Sequence, residues 1–455
     1  MIGMAHVHDK DLPKGLKKTI IMRTRLIHAA DIHLGYLQYG LDERAIDFTR
    51  ALEHLITETI QTDCQCLLIA GDFFHNRSID SQTLYSATKL LERLREAGIP
   101  VVVIEGNHDK AYRSEGYSWL SYLNQMEYIR LLSFNFSDEG IQLSPFDDKT
   151  RSGSYTDIAG TGIRIYGLPW VGAQTRNIMS AVSDYLRKVR ADEERQGVRF
   201  RILMMHTGVD GEDPRLKGLP AGNDFRVLKD LVNYIALGHV HKPYTYDGYI
   251  YNPGSLETVN IEEAKEKRGY YQIDVQTDTA AAAPEYSAEL IITPKRPFLQ
   301  LSYIVDGVQS QEELLEDFTR FLRRHKQEFA QTEEKPVAHI YLRGNLAFDR
   351  TAFNMKQLYE SVTIYKPLHI IIHDNTDSAE AIDLPEDDTR SSIQSMEKDI
   401  FYQMALSDAR FANAAEQWSQ IMQNLKQHSL NGDPAEAICD WFIEEYQRVG
   451  QSDQG

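Results

Sequence analysis

Five short apolar runs in this chain end on residues that bind metals or move protons, and that repeated ending constrains the fold more than any other feature. Leu67-Leu68-Ile69-Ala70 runs into Gly71 and Asp72, with His75 three residues on. Residues 25–31 end on Asp31, followed by Ile32 and His33. Val101 to Ile104 leads into Glu105-Gly106-Asn107-His108-Asp109. Residues 200–206 end on His206, and 233–237 run into Gly238-His239-Val240-His241. Short apolar runs of this kind read as strands buried on both faces. In an open α/β sheet, ligands bind outside the carboxyl ends of such strands. A lone Gly-Asp is commonly no more than a turn; five endings of one kind, in order, are not explained by turns.

Helical spacing falls between these runs. Ala45, Phe48, Leu52, Leu55, Ile56 and Ile60 share one side of a helix over 43–60, and Leu84, Leu90, Leu91 and Leu94 one side of a helix over 81–97, stopped by Gly98 and Pro100. Strands alternating with helices predict a parallel sheet whose carboxyl edge gathers the polar endings. A helix is expected from Ser114 to Met126, a polar surface excursion over 137–160, a strand over 162–168, a long charged helix over 174–195 and antiparallel strands within 244–275. Residues 23–295 read as one domain, with Ala280 to Pro284 as a linker-like patch. The pattern resets after Pro297. A βαβαβ series (strand 298–305, helix 310–329, strand 337–343, helix 350–361, strand 366–372) forms a second, small domain over 296–373. Residues 374–389 are acidic and contain Pro385, as a linker would. Residues 390–455 carry apolar stripes at helical steps: Ile393, Met396, Ile400 and Met404; Phe411, Trp418, Met422 and Leu425; Ile438, Trp441, Phe442, Tyr446 and Val449. They fit a small helical bundle and a partner-docking element equally well.

Composition sets limits. Residues 1–22 hold charges and no apolar core, so they read as a loose extension rather than a secretory signal, with Met22 a candidate start. No apolar run approaches the length of a membrane span. Cys64, Cys66 and Cys439 give no disulfide framework and no zinc pattern, which suits the reducing cytosol. The net charge of −18 argues against a broadly basic nucleic-acid surface, but not against a local groove or a site where bound cations carry the positive charge.

The endings together make a carboxylate, amide and imidazole set. Shared by a bridging Asp72, they divide into two metal sites: Asp31, His33, Asp72 and His241 for one, and Asp72, Asn107, His206 and His239 for the other. Mixed nitrogen and oxygen donors without thiolate suit manganese, iron or zinc better than magnesium. His28 precedes Asp31 on the same strand and is expected to be structural; His54, within a helix, is expected on a partly solvated face.

This ordered set resembles the calcineurin-like metallophosphoesterases. Ile27-His28-Ala29-Ala30-Asp31-Ile32-His33-Leu34-Gly35, Gly71-Asp72-Phe73-Phe74-His75-Asn76-Arg77, His239-Val240-His241-Lys242-Pro243, Asn252-Pro253-Gly254-Ser255 and Arg296-Pro297-Phe298 are similar to the SbcD-type DNA repair exonucleases within that family. Ser78-Ile79 after Arg77 departs from the Pro-Ser found in many members. The resemblance implies a β-sandwich flanked by helices, a small α+β capping domain over 296–373 and a helical tail where an ATPase docks. It also implies two divalent ions, most readily Mn2+, and two-metal hydrolysis of phosphodiesters. His108 would protonate or stabilise the leaving oxygen, paired with Asp31 or Asp109, and His75 would contact the phosphate or orient the nucleotide. The implied substrate is DNA, degraded 3′ to 5′ from duplex ends and nicked at single strands or hairpins. The implied partners are an SMC-like ABC ATPase of the SbcC type and a second copy of the chain, in the cytoplasm and with no membrane. Two other readings are a small-substrate phosphodiesterase or phosphatase, and a metal-stabilised adaptor without catalysis.

Overall fold

The computed structural model describes residues 22–378, apart from 113–115, 138–139, 278–283, 331–333 and 349, and most of 401–402, 405, 411 and 414–452 outside 432–434. The expected extension, the Ile393-to-Met404 stripe and most of the acidic linker lie outside the described residues.

The apolar runs build strands where the sequence places them. In chain order, β1 (Met22–Ala29), α1 (Asp42–Gln61), β2 (Cys66–Ile69), α2 (Ser81–Glu96), β3 (Val101–Val103), α3 (Trp119–Gln125) and β4 (Arg130–Leu131) form a run of parallel strands with covering helices. A hairpin of β5 (Asn135–Ser137) and β6 (Gly140–Gln142) follows. A second sheet is made by β7 (Tyr155–Ile158), β8 (Ile163–Leu168), then α4 (Thr175–Arg195), β9 (Phe200–Met205), β10 (Tyr234–Leu237), β11 (Tyr244–Tyr246) and β12 (Ile250–Asn252). The chain then returns to the first sheet through β13 (Gly269–Thr277), antiparallel to β1, and β14 (Glu285–Ile292). Two six-stranded sheets result, ordered β14-β13-β1-β2-β3-β4 and β11-β12-β10-β9-β8-β7.

Helix–strand alternation alone predicts a parallel sheet; the structure has two mixed sheets, the β-sandwich flanked by helices that the family resemblance implies. The reason is visible in their burial. All four side chains of β2 and all six of β9 are buried, because one face of each strand meets helices and the other meets the opposite sheet. Leu26, Leu68, Val102, Ile202, Met204, Tyr234 and Ile273 fill the layer between the sheets; α1, α2 and α3 cover the outside of the first sheet and α4 the outside of the second. Fully apolar strands fit either arrangement, so periodicity alone does not separate them. Local expectations are corrected too. The helix expected from Ser114 begins at Trp119, capped by Ser118, whose oxygen accepts from the Ser121 amide at 3.1 Å. The polar stretch 137–160 contributes β6 and β7, while most of the linker-like patch from Ala280 lies outside the described residues.

His28 lies between the sheets with no exposed surface. Its Nδ1 is 2.9 Å from the Tyr234 hydroxyl and its Nε2 2.9 Å from the Leu237 carbonyl, so it ties β1 to β10. Burial lowers its pKa from 6.5 to about 3. Between those values the unfolded chain takes up a proton that the native state refuses. The stability from a neutral His28 is thus full above about pH 6.5 and lost as pH falls towards 3. Denaturation of wild type and His28→Gln at pH 7 and 4.5 should show the wild type losing about 2–3 kcal/mol more than the variant.

A third sheet follows Pro297. β15 (Phe298–Ile304), α5 (Gln311–Arg324), α6 (Lys326–Ala330), β16 (Val337–Leu346), α7 (Met355–Thr363) and β17 (His369–Ser378) give the order β15-β16-β17 around a core of Leu301, Phe318, Leu322, Ile340 and Leu358. The helix expected over 310–329 breaks at His325, and the one expected over 350–361 is a short 3-10 turn followed by α7. β17 reaches Ser378, into the expected linker, because Arg350 donates to the Thr376 carbonyl at 3.1 Å and pairs with Asp374. Buried charges join this sheet to α1: the Arg296 guanidinium pairs with Asp47, its Nη2 2.6 Å from Oδ1, and Arg44, itself fully buried, bonds Asp47 and Glu257.

The described residues beyond Asp377 belong to a separate compact unit, in which helices Ala415–Asn431 and Ala435–Ser452 pack on one another. Trp418, Ile421 and Val449 are buried there against Trp441 and Phe442, while Ile443 and Tyr446 stay exposed. No described helix is long and apolar enough to cross a membrane.

Candidate metal centre

The polar endings converge, and they do so from both sheets. Asp31 and His33 follow β1, Asp72 and His75 follow β2, and Asn107 and His108 follow β3; His206 follows β9, and His239 and His241 follow β10. The loops after β1 and β2 are zipped together by backbone bonds from the amides of Asp31, His33, Leu34 and His75 to the carbonyls of Gly71, Asp72, Phe73 and Leu34. Four of the seven predicted ligands hold left-handed backbone: Asp31 (φ 51°), His33 (φ 50°), Asp72 (φ 50°) and His239 (φ 83°). Such conformations cost non-glycine residues about 1 kcal/mol or more each and gather where function demands them. Two glycines make the close packing possible. A Cβ on Gly71 would lie 2.2 Å from His206 Nδ1, and one on Gly106 would lie 2.1 Å from Asp72 Oδ1.

Two donor clusters result. Asp31, His33 and His241 form one, with His33 Nε2 and His241 Nε2 3.1 Å apart. Asp72, His206 and His239 form the other, with Asp72 Oδ2 3.3 Å from His206 Nε2. Asn107 Oδ1 joins the second, 3.1 Å from His206 Nε2 and 3.0 Å from His239 Nδ1. The other oxygen of Asp72 accepts the His108 amide at 2.9 Å. His33, His75 and His108 make a third group of imidazoles at the edge of the first cluster.

The electrostatics suit cations. Burial drives the His33 pKa far below 6.5 and that of His239 to about 3, which leaves both neutral, the form a metal requires. Burial also raises the Asp31 carboxyl to about 6. In the Asp72–His206 pair burial opposes both charges, yet their attraction prevails, holding the carboxyl below its ordinary range and the imidazole above. Two nearly buried carboxylates and four buried or half-buried imidazoles, with lone pairs aimed into the same small volumes, fit two divalent cations held by nitrogen and oxygen.

Several supporting residues are not legible in the sequence. Glu263 accepts from His241 Nδ1 at 3.0 Å and orients the ring, as outer carboxylates do for metal-binding histidines. It lies 22 residues beyond His241 in a stretch with no pattern. Arg268 donates to the His241 carbonyl at 2.5 Å, and Asn252 Nδ2 to the carbonyls of Val240 and Lys242, so the loop carrying His241 is clamped. Asp109 does not pair with His108. It accepts from the amides of Phe73, Phe74 and Gly106 at 3.0–3.2 Å and ties the β2 and β3 endings together. Nor does Asp31 pair with His108, since both Asp31 oxygens accept the His239 amide. The partner of His108 is the His75 carbonyl, 2.5 Å from its Nδ1. Beside the clusters lies an open cleft of about 460 Å³ lined by His75, Arg77, Ser78, His108 and Tyr112.

The comparisons agree with this geometry. The calcineurin-like phosphoesterase family matches residues 24–243, which include every predicted ligand. The chain is 27% identical to the DNA double-strand break repair protein Mre11 of Archaeoglobus fulgidus over 53% of this chain and 52% of that protein, and so spans about half of that relative's length. It is 22% identical to the SbcD component of the nuclease SbcCD of Staphylococcus epidermidis over 83% of this chain and 93% of that one. It is 32% identical to the metallophosphoesterase YhaO of Bacillus subtilis over 55% and 57%. Residues 24–243 of this chain are a calcineurin-like phosphoesterase domain.

Proposed function

We propose that this chain is a metal-dependent phosphodiesterase whose substrate is DNA, a nuclease of double-strand break repair that works with an SMC-like ATPase and as a homodimer. The observation that carries the reading is the convergence of seven donor side chains in two adjoining clusters, with Asp72 in the second, beside a cleft lined by His75 and His108. Asp31, His33, Asp72 and His241 would hold one cation, and Asp72, Asn107, His206 and His239 the other, with manganese, which the family resemblance implies, among the ions these donors suit. Bound there, two such cations supply Lewis acidity towards a phosphodiester and an acidified water.

The chain's own residues supply the rest. His108 donates from Nδ1 to the His75 carbonyl, so that in the imidazolium form its second proton, on Nε2, is the one passed to the departing oxygen, leaving the neutral ring. His75, with its ring stacked near that of His108 at 5.2 Å, orients the phosphate. Arg77 over Tyr112 and Lys110 over Trp170 place positive charge and aromatic faces beside the cleft, in a chain otherwise strongly acidic. DNA as substrate is supported by the names of the relatives, a break-repair protein and a component of a nuclease.

Manganese-loaded protein should remove nucleotides from the 3′ end of a labelled duplex and nick single strands. Turnover of bis(p-nitrophenyl) phosphate with DNA left intact, alone and with the ATPase present, would move the reading to a small-substrate phosphodiesterase. DNA affinity of the chain alone should be weak. Between roughly 50 and 200 mM salt it should fall about tenfold for every two phosphates contacted. Tight, salt-insensitive binding measured by fluorescence anisotropy would contradict this.

A further inference from the structure

Between the ligand His33 and helix α1, the loop Gly35–Gly40 carries two tyrosines with separate attachments. The Tyr36 ring lies on the His75 ring, centroids 3.7 Å apart and planes 19° from parallel. His75 in turn approaches His33, Nδ1 to Nδ1 3.3 Å, and accepts the His108 imidazole on its carbonyl. Three residues later Tyr39 sits at φ 60°, a left-handed conformation that a bulky side chain rarely adopts. Its hydroxyl is 3.1 Å from His339 Nε2 on β16, and its ring stacks on His369 of β17 at 4.9 Å and 19°. That contact is rooted in the third sheet: His339 Nδ1 is 3.0 Å from His373 Nε2, and His373 stacks on Tyr341 at 4.4 Å. Gln38, between the tyrosines and almost wholly buried, donates to the Val259 carbonyl at 2.7 Å and accepts from Arg44 Nε at 2.8 Å. The loop is thus pinned at its middle and at both tyrosines. A strained residue persists in such a place only when its surroundings over-determine it.

We propose that Tyr36 is the positioning residue for His75, and that Tyr39 sets Tyr36 by fixing the same loop to the third sheet. The pose of the β15–β17 sheet on the phosphoesterase domain then governs the His75–His108 pair without touching a metal ligand. This rests on the phosphodiesterase reading above.

The test uses the full manganese-loaded chain and bis(p-nitrophenyl) phosphate, with kcat, KM and bound manganese measured together. Tyr36→Leu should lower kcat about tenfold, the scale of a small misplacement near the reacting atoms, while KM and manganese content hold. Tyr36→Phe, which keeps the stacked ring, should restore kcat. Tyr39→Ala should reproduce the Tyr36→Leu loss, and the double variant should be no worse than the poorer single, because the two act in one line. Tyr39→Phe removes only the hydroxyl and guards against misfolding; it should show a smaller loss of the same kind, about threefold. Multiplying losses in the double variant, or lost manganese in place of lost kcat, would overturn the proposal. A wild type without turnover would sink the phosphodiesterase reading and the proposal with it. A wild type that turns over, with Tyr36→Leu its equal, would sink the proposal alone.

Discussion

Asp72→Asn should empty both metal clusters and lower phosphodiester hydrolysis about a thousandfold or more. The carboxylate lies 1% exposed, with one oxygen 3.3 Å from His206 and the other on the His108 amide, so it reaches the second cluster and the His108 loop at once. Asparagine is the informative substitution. It tolerates the left-handed backbone at φ 50° and keeps the shape, so what is lost is the charge. Removing that charge leaves a cluster of imidazoles without the anion that draws cations in. Losing the cations forfeits several kcal/mol of transition-state stabilisation, and each 1.36 kcal/mol is tenfold in rate. Elemental analysis beside the diester assay checks both halves of the expectation. Retained metal with lost activity would place Asp72 in catalysis rather than in ligation.

His108→Ala should do the opposite: metal content stays and turnover falls by roughly 10²- to 10⁴-fold, the range of a general acid. His108 is half-buried at the cleft, its Nδ1 committed to the His75 carbonyl. A diester with a good leaving group, such as a nitrophenolate, needs little protonation on departure. The loss should therefore be smaller on bis(p-nitrophenyl) phosphate than on DNA. Equal losses on both substrates would assign His108 to phosphate binding instead, and a fall in manganese content would make it a ligand.

The strand ends were readable because each pairs a run buried on both faces with a polar residue that no core would accept unpaired. Leu67 to Asp72 and Phe200 to His206 show this most plainly. The second sheet was implied by the family resemblance but not readable from periodicity, because a strand such as β9, with all six side chains buried, carries no alternation to reveal whether a helix or another sheet covers it. The outer support was also hidden. Glu263 and Arg268 come from a stretch of mixed charge, and their value lies in a fold that returns them to His241. Asn252 belonged to a visible turn, yet its role in clamping the His241 loop appears only when Val240 and Lys242 stand opposite it. His28 was legible as structural, since a strand side chain three residues before Asp31 points to the other face of the sheet; its partner Tyr234, 206 residues away, was not.

The central claim is that seven side chains from two sheets hold a pair of cations that share Asp72. Anomalous diffraction from crystals of the manganese-loaded protein tests it most directly. The account predicts two peaks, one bounded by Asp31, His33 and His241 and the other by Asn107, His206 and His239, with Asp72 between them. A single peak among His33, His75 and His108, or manganese bound elsewhere on the chain, would contradict it.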